Sequence, residues 1–283
     1  MNRISQWMAS GVLGVLAIGA SATAAAAAAT AGTGAELTVQ QILERHAAAV
    51  GGPTAWRKIK TMAWTGHIES GPGGATQRPF MMMFRRPEAM RFEIIADGQR
   101  TARIFDGRGG WKLRASSSGM PEVSDYTPED LAFAHDAGGI DGPLVDAKSK
   151  GIDVALVGLD SVEGHRAYRL RVNFPSGHVQ EAWIDARSFL ELRYDRATRS
   201  TRGASGTVSV YLRNYQTVEG LKIPSLIETG SPVARDTDKM IIEKIALNPA
   251  LEERQFSKPM VPGRRQRGAV IDIAPPAGAP PGR

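Results

Sequence analysis

The chain has 283 residues, no cysteine and a formal net charge of +6. Without cysteine there is no disulfide framework and no thiol nucleophile, so stability has to come from a core. The basic excess is mild and scattered rather than gathered on one face, which argues against a nucleic-acid partner and leaves peripheral contact with an anionic membrane surface open.

Arg3 precedes an apolar run from Val12 to Ala20 and an alanine-rich stretch from Ala22 to Ala29. A basic start, a short apolar core and small residues at its end read as a secretory signal peptide, assigned to residues 1–31. The run is short and glycine-broken, whereas a membrane-spanning helix takes about 20 apolar residues; an uncleaved anchor over Met8–Ala29 is the alternative. No cysteine is present to carry a lipid, so a soluble mature form is expected. Residues 32–261 are expected to form one domain, and residues 262–283 a disordered Pro/Gly-rich tail with Arg264, Arg265 and Arg267.

The domain opens with a helix. Thr38 can cap it and Gln41 completes a capping box. Val39, Ile42, Leu43, His46, Ala47 and Val50 then fall on one face. Gly51-Gly52 stops it, and Pro53 opens a short second turn through Trp56 and Ile59. Beyond this the period drops from about 3.6 to 2. Phe92 and Ile94, Tyr168 to Phe174, Leu190 to Tyr194, and Val208 to Leu212 alternate with polar residues. This is the pattern of antiparallel strands with one buried face, about ten of them. Thr127-Pro128-Glu129-Asp130 starts one further helix, through Leu131, Phe133 and Ala134 to Gly138-Gly139.

Phe80, Met82 and Phe84 point to one side of their strand, and Met81 and Met83 to the other. Both faces are apolar, so helices or a ligand must cover both. Asp106-Gly107, Glu163-Gly164 and Glu219-Gly220 are acid–glycine pairs between alternating runs, which is a hairpin signal. RIFDGRGGWKL, with three glycines and two arginines, is one such hairpin; no helix follows Gly110, as a phosphate-binding loop requires. The five histidines show no metal-like spacing, and no G-x-S-x-G elbow occurs. No residue is therefore assigned to catalysis, metal or cofactor binding, and the chain is read as a non-enzyme.

Phe84-Arg85-Arg86-Pro87, Phe105-Asp106-Gly107 and Gly110-Trp111-Lys112 together resemble the LolA family of periplasmic lipoprotein carriers. Gly142-Pro143-Leu144, Val162-Glu163-Gly164, Tyr215 before Val218-Glu219-Gly220, and Phe256 before Pro259 are similar to the wider group of outer-membrane lipoprotein-sorting proteins. The resemblance implies a mainly β (α+β) fold, a strongly curved antiparallel sheet forming an unclosed β-barrel with short helices as a lid. It implies a soluble periplasmic monomer that carries acyl chains of lipoproteins or other lipids from an inner-membrane donor toward an outer-membrane acceptor. The cavity candidates are Phe80, Met82, Phe84, Phe92, Ile94 and Trp111, and Arg86 matches the arginine that latches the lid in that family. Two other readings stand beside the carrier: an envelope scaffold with a filled β core, and an enzyme on a lipid-like substrate.

Overall fold

The computed structural model describes residues 37–71, 74–96, 98–114, 120–137, 139–199, 205–230 and 237–260. The signal-peptide assignment, 1–31, and the tail assignment, 262–283, lie outside the described residues. Helix α1, Val39–Ala49, starts on the expected capping box: the Thr38 hydroxyl accepts from the Gln41 N–H at 3.2 Å, and the Gln41 side chain accepts from the Thr38 N–H at 2.9 Å. Helix α2 is Pro53–Lys58. Between them Gly51 has φ +113°, and a Cβ there would lie 2.7 Å from the Gly220 carbonyl oxygen. Only glycine lets the helical corner close onto that hairpin.

The described strands are β1 Thr61–Ser70, β2 Thr76–Arg85, β3 Ala89–Ala96, β4 Gln99–Phe105, β5 Gly110–Arg114, β6 Glu122–Asp125, β7 Asp153–Val162, β8 His165–Asn173, β9 Val179–Asp185, β10 Glu191–Arg199, β11 Ser205–Val218, β12 Leu221–Gly230 and β13 Asp238–Leu247. Helix α3 is Pro128–Asp136, and two short 3-10 turns, Gly139–Asp141 and Ala147–Lys150, lead from it to β7. There are more strands than the sequence suggested. β6, for example, carries a single apolar residue, Val123, so alternation could not reveal it.

All strands join one antiparallel sheet in the order β6-β5-β4-β3-β2-β1-β13-β12-β11-β10-β9-β8-β7. The chain starts at the middle, meanders to one edge, crosses through α3, and meanders back from the other edge. β6 and β7 do not pair, so the curved sheet stays open, as expected. Glu163-Gly164 and Glu219-Gly220 both have positive φ at the two turn positions, which is the hairpin turn that matches strand twist. RIFDGRGGWKL is a hairpin of a different kind. Asp106 Oδ1 accepts from the N–H groups of Arg108 and Gly109 at 2.8 and 2.7 Å, so side-chain hydrogen bonds set the turn.

The helices lie on one face, called inner here. α1 buries Ile42 against Leu170, Val172, Ala182 and Ile184, together with Leu144 and Ile152 of the crossover. α2 places Trp56 against Met62, Leu221, Ile223 and Val145. On the opposite, outer face of β2, Met83 packs with Ala89 and Phe256, flanked by Met81 and Leu251. The cover for the second apolar side of that strand is therefore the chain's own C-terminal segment, where Glu253–Phe256 forms a 3-10 turn. Arg85 lies over the Phe256 ring at 5.0 Å and adds a cation–π contact.

One alternation fails for a physical reason. A bulge falls between Glu191 and Arg193, where Glu191 pairs with Ile184 but Arg193 pairs with Trp183. The extra residue flips the parity of the strand. Leu192 consequently packs with Trp183 and Tyr211 on the outer face, while Glu191 turns to the inner face.

Candidate functional site: the inner face of the open sheet

Directly paired residues share a face, so the register traces rows across the sheet. One row runs Trp64–Met82–Phe92–Arg103–Lys112–Ser124. The next runs Gly66–Phe80–Ile94–Thr101, and a third Met62–Phe84–Met90–Phe105–Gly110. On the other side of β1 the apolar surface continues through Ile68–Met240–Ile227–Leu212.

Phe80, Met82, Phe84, Phe92 and Ile94 thus stand together on the inner face. Phe80 is buried, 4% exposed, and the other four are partly exposed. Trp64 meets Phe84 edge to face at 5.2 Å, and Phe80 lies 6.1 Å from Phe92. Trp111 does not belong with them. It pairs with Ile104, and that row continues through Arg91 to Met83 on the outer face. There Trp111 packs against the cluster of Ala102, Ile104 and Leu113. Alternation along β5 leaves the face of Trp111 open, and register parity across β4, β3 and β2 decides it. Trp64, Ile68, Ile227 and Met240 are inner-face residues that the sequence reading left out; period-2 spacing of Met62, Trp64 and Ile68 was the available signal.

The inner face is only partly filled. At the α1 and α2 end it is packed solid. Trp64, which flanks the α2 cluster, and Ile68, Met82, Phe92, Ile94, Leu212, Ile227 and Met240 all remain partly exposed although they point inward. Two polar atoms on the inner face are buried without a hydrogen-bond partner among the described residues, Trp64 Nε1 and Glu191 Oε1. Burial pushes the Glu191 carboxyl up from 4.5 to about 8. Burial, and then the nearby Glu191, push Tyr194 up to about 12.

Arg86 sits where strand, helix and crossover meet. It donates to the carbonyls of Ile59 (2.9 Å) and Trp56 (3.1 Å) at the end of α2, and to Asp141 Oδ2 at 2.9 Å. The Asp141 side chain is 4% exposed and also accepts from Lys150 at 2.8 Å. One guanidinium therefore ties β2 to α2 and to the crossover.

Helix α3 buries no residue of its own. Side-chain pairs pin it to both halves of the open sheet. On one half His135 reaches Glu88 at 2.8 Å and stacks edge-on with Phe105 at 4.9 Å. On the other, His178 meets Asp136 at 2.6 Å and Arg196 lies over Phe133 at 5.4 Å. Burial pushes the Asp130 carboxyl up, but hydrogen bonds from Lys112 and from Thr127 outweigh it and hold the group at about 2.

A cavity of about 190 Å³ opens on the inner face beside Phe92 and Ile94, with Thr101, Arg103, Lys112 and Arg114 also lining it. A second, of about 530 Å³, lies at the hairpin ends around Glu163, His165, Asp185, Ser188 and Tyr215. There Asp185 takes the Ser188 hydroxyl at 2.8 Å on one oxygen and faces His165 at 3.3 Å on the other. The carboxylate separates serine from histidine, so this is a turn cap and not a nucleophilic triad. Among the described residues no cluster of three metal-ligating side chains occurs, and no helix is long and apolar enough to cross a membrane.

No protein-family model matches the chain, and no curated protein does. Solved structures match its shape. A LolA superfamily protein from Nitrosomonas europaea aligns over 79% of this chain and 99% of its own, with a TM-score of 0.53 at 14% identity. The chain has a LolA-like fold. A DUF1329 family protein from Desulfovibrio piger shares it, with a TM-score of 0.51 at 11% identity over 78% of this chain and 98% of its own. At such identities the LolA-like fold is common property and the inner-face side chains are this chain's own.

Proposed function

We propose that this protein is an exported, non-enzymatic carrier that holds acyl chains of lipoproteins or other lipids against its inner face for transfer toward the outer membrane. The observation that carries the reading is the set of inward-pointing apolar side chains left partly exposed, Phe92, Met82 and Trp64 in one row and Ile68, Met240 and Ile227 in another. Apolar surface that faces inward and remains wet is surface that a ligand can cover. Each methylene buried there contributes about 0.8 kcal/mol, so one long acyl chain contributes on the order of 10 kcal/mol.

In this reading residues 1–31 direct export to the periplasm and are cleaved, residues 32–261 form the carrier domain, and residues 262–283 form a basic tail. Arg86 is the lid latch, since it holds α2 and the crossover to β2. Phe80, Met82, Phe84, Phe92 and Ile94 form the acyl-chain wall. An inner-membrane donor and an outer-membrane acceptor complete the route, and the carrier works as a monomer. The packed end at α1 and α2 favours the second reading, an envelope scaffold with a filled core. Mass spectrometry of lipids that co-purify with the protein decides between them. The carrier reading expects bound acyl chains that are lost in Phe84→Glu. A wild-type protein free of lipid, and unable to bind a fluorescent acyl probe, overturns it.

A further inference from the structure

The same cross-strand row that is apolar at Trp64, Met82 and Phe92 becomes cationic at its next two positions, Arg103 and Lys112. Neighbouring strands are about 4.8 Å apart, so the change from grease to charge happens within one strand spacing. Arg103 and Lys112 are directly opposite each other, and like charges so placed repel. One carboxylate serves both: Asp130 of α3 lies 2.6 Å from Lys112 and 3.6 Å from Arg103. Arg114, two residues beyond Lys112 on the same face, is exposed and forms no ion pair among the described residues, although Glu122 is its register partner on β6. Arg103 keeps 52% of its side chain exposed. These three cations and Thr101 line the cavity of about 190 Å³ together with Phe92, Ile94, Ala102 and Leu113.

We propose that this basic corner is the seat of an anionic head group, phosphate or carboxylate, on an amphiphile whose acyl chain runs along Phe92, Met82 and Trp64. The inference rests on the acyl-carrier reading and adds a selectivity to it. Three cations against Asp130 and Glu122 still leave a positive excess beside the apolar wall, and a ligand with a negative head and an apolar tail matches both in the order in which they occur. A head group there takes hydrogen bonds from Arg103, Arg114 and Thr101, whereas Lys112 stays shared with Asp130 and fixes α3 above the site. Arginine suits the task because its planar fork meets phosphate and carboxylate with two donors at once.

The test uses the purified protein and two single-chain amphiphiles with the same tail, one ending in phosphoglycerol and one in uncharged glycerol, with inorganic phosphate as a third ligand. Titration calorimetry or displacement of a fluorescent acyl probe gives the affinities. The expected result is about tenfold tighter binding of the phosphoglycerol amphiphile, a preference that shrinks in high salt and falls below about twofold in the Arg103→Gln/Arg114→Gln double variant. Circular dichroism and a melting curve verify that the double variant is folded. Equal affinity for the two amphiphiles overturns the head-group site and leaves the acyl-carrier reading standing. Binding of neither amphiphile overturns both. Inorganic phosphate binding as tightly as the phosphoglycerol amphiphile overturns the link between this corner and the tail, because the site is then a free-anion site.

Discussion

Replacing Glu191 with glutamine tests whether the bulge in β10 places a carboxyl in the interior of the fold. The bulge between Glu191 and Arg193 turns Glu191 inward, its Oε1 is buried with no partner among the described residues, and burial pushes its pKa from 4.5 to about 8. The folded protein therefore holds a proton on Glu191 that the unfolded chain releases, throughout the window between those two values. An acid with a raised folded-state pKa stabilises the fold at low pH, and that stability is lost as pH rises toward 8. One proton of difference gives a slope of about −1.4 kcal/mol per pH unit, and integrating over the window gives a ceiling of about 5 kcal/mol. Part of the residue reaches solvent, which lowers the true figure below that ceiling. Glutamine has the same shape and does not titrate. Urea unfolding at pH 5, 6.5 and 8 is expected to show wild type and Glu191→Gln near equal at the lowest pH. The variant then gains on the wild type by about 1 kcal/mol or more for each further unit. Taking the difference cancels the other titrating groups. Among them is His46, whose pKa burial lowers, against the raising effect of the Phe189 carbonyl, and whose own contribution therefore rises with pH. Parallel stability–pH curves for the two proteins would refute the reasoning and place the Glu191 carboxyl in water.

Two further substitutions probe the frame of the site. Gly51→Ala puts a Cβ at 2.7 Å from the Gly220 carbonyl with φ at +113°, and a loss of about 2–3 kcal/mol in chemical unfolding is expected. An unchanged midpoint would mean that the corner is free to move away. Arg86→Ala leaves the nearly buried Asp141 carboxylate with Lys150 alone and the carbonyls of Trp56 and Ile59 without their donor. A stability loss of about 3 kcal/mol, with faster amide exchange in α2 and the crossover, is the expected outcome. A loss under about 0.5 kcal/mol would reduce Arg86 to a surface charge.

Local chemistry alone determined much of this protein. The Thr38 and Thr127 caps, Gly51-Gly52, and the acid–glycine hairpins are written into a few adjacent residues, because caps and turns are closed by groups only two or three positions apart. Period-2 alternation likewise pointed to an antiparallel sheet, and it sorted Phe80, Met82 and Phe84 from Met81 and Met83. Alternation yields two sets per strand and never says which set is inside. That was decided by contacts far apart in the chain: α2 on the Phe84 side and Phe256 on the Met83 side. Trp111 shows the limit well, since its face depends on counting register through β4, β3 and β2 back to a helix-covered strand. Glu191 shows it again. One unpaired residue in a ladder reversed the parity that its neighbours suggest, and no local signal marks where a ladder slips. The joining of an apolar wall to a basic corner also exists only in the tertiary structure. Met82, Phe92, Arg103 and Lys112 lie on four different strands, and cross-strand pairing alone sets them in one row.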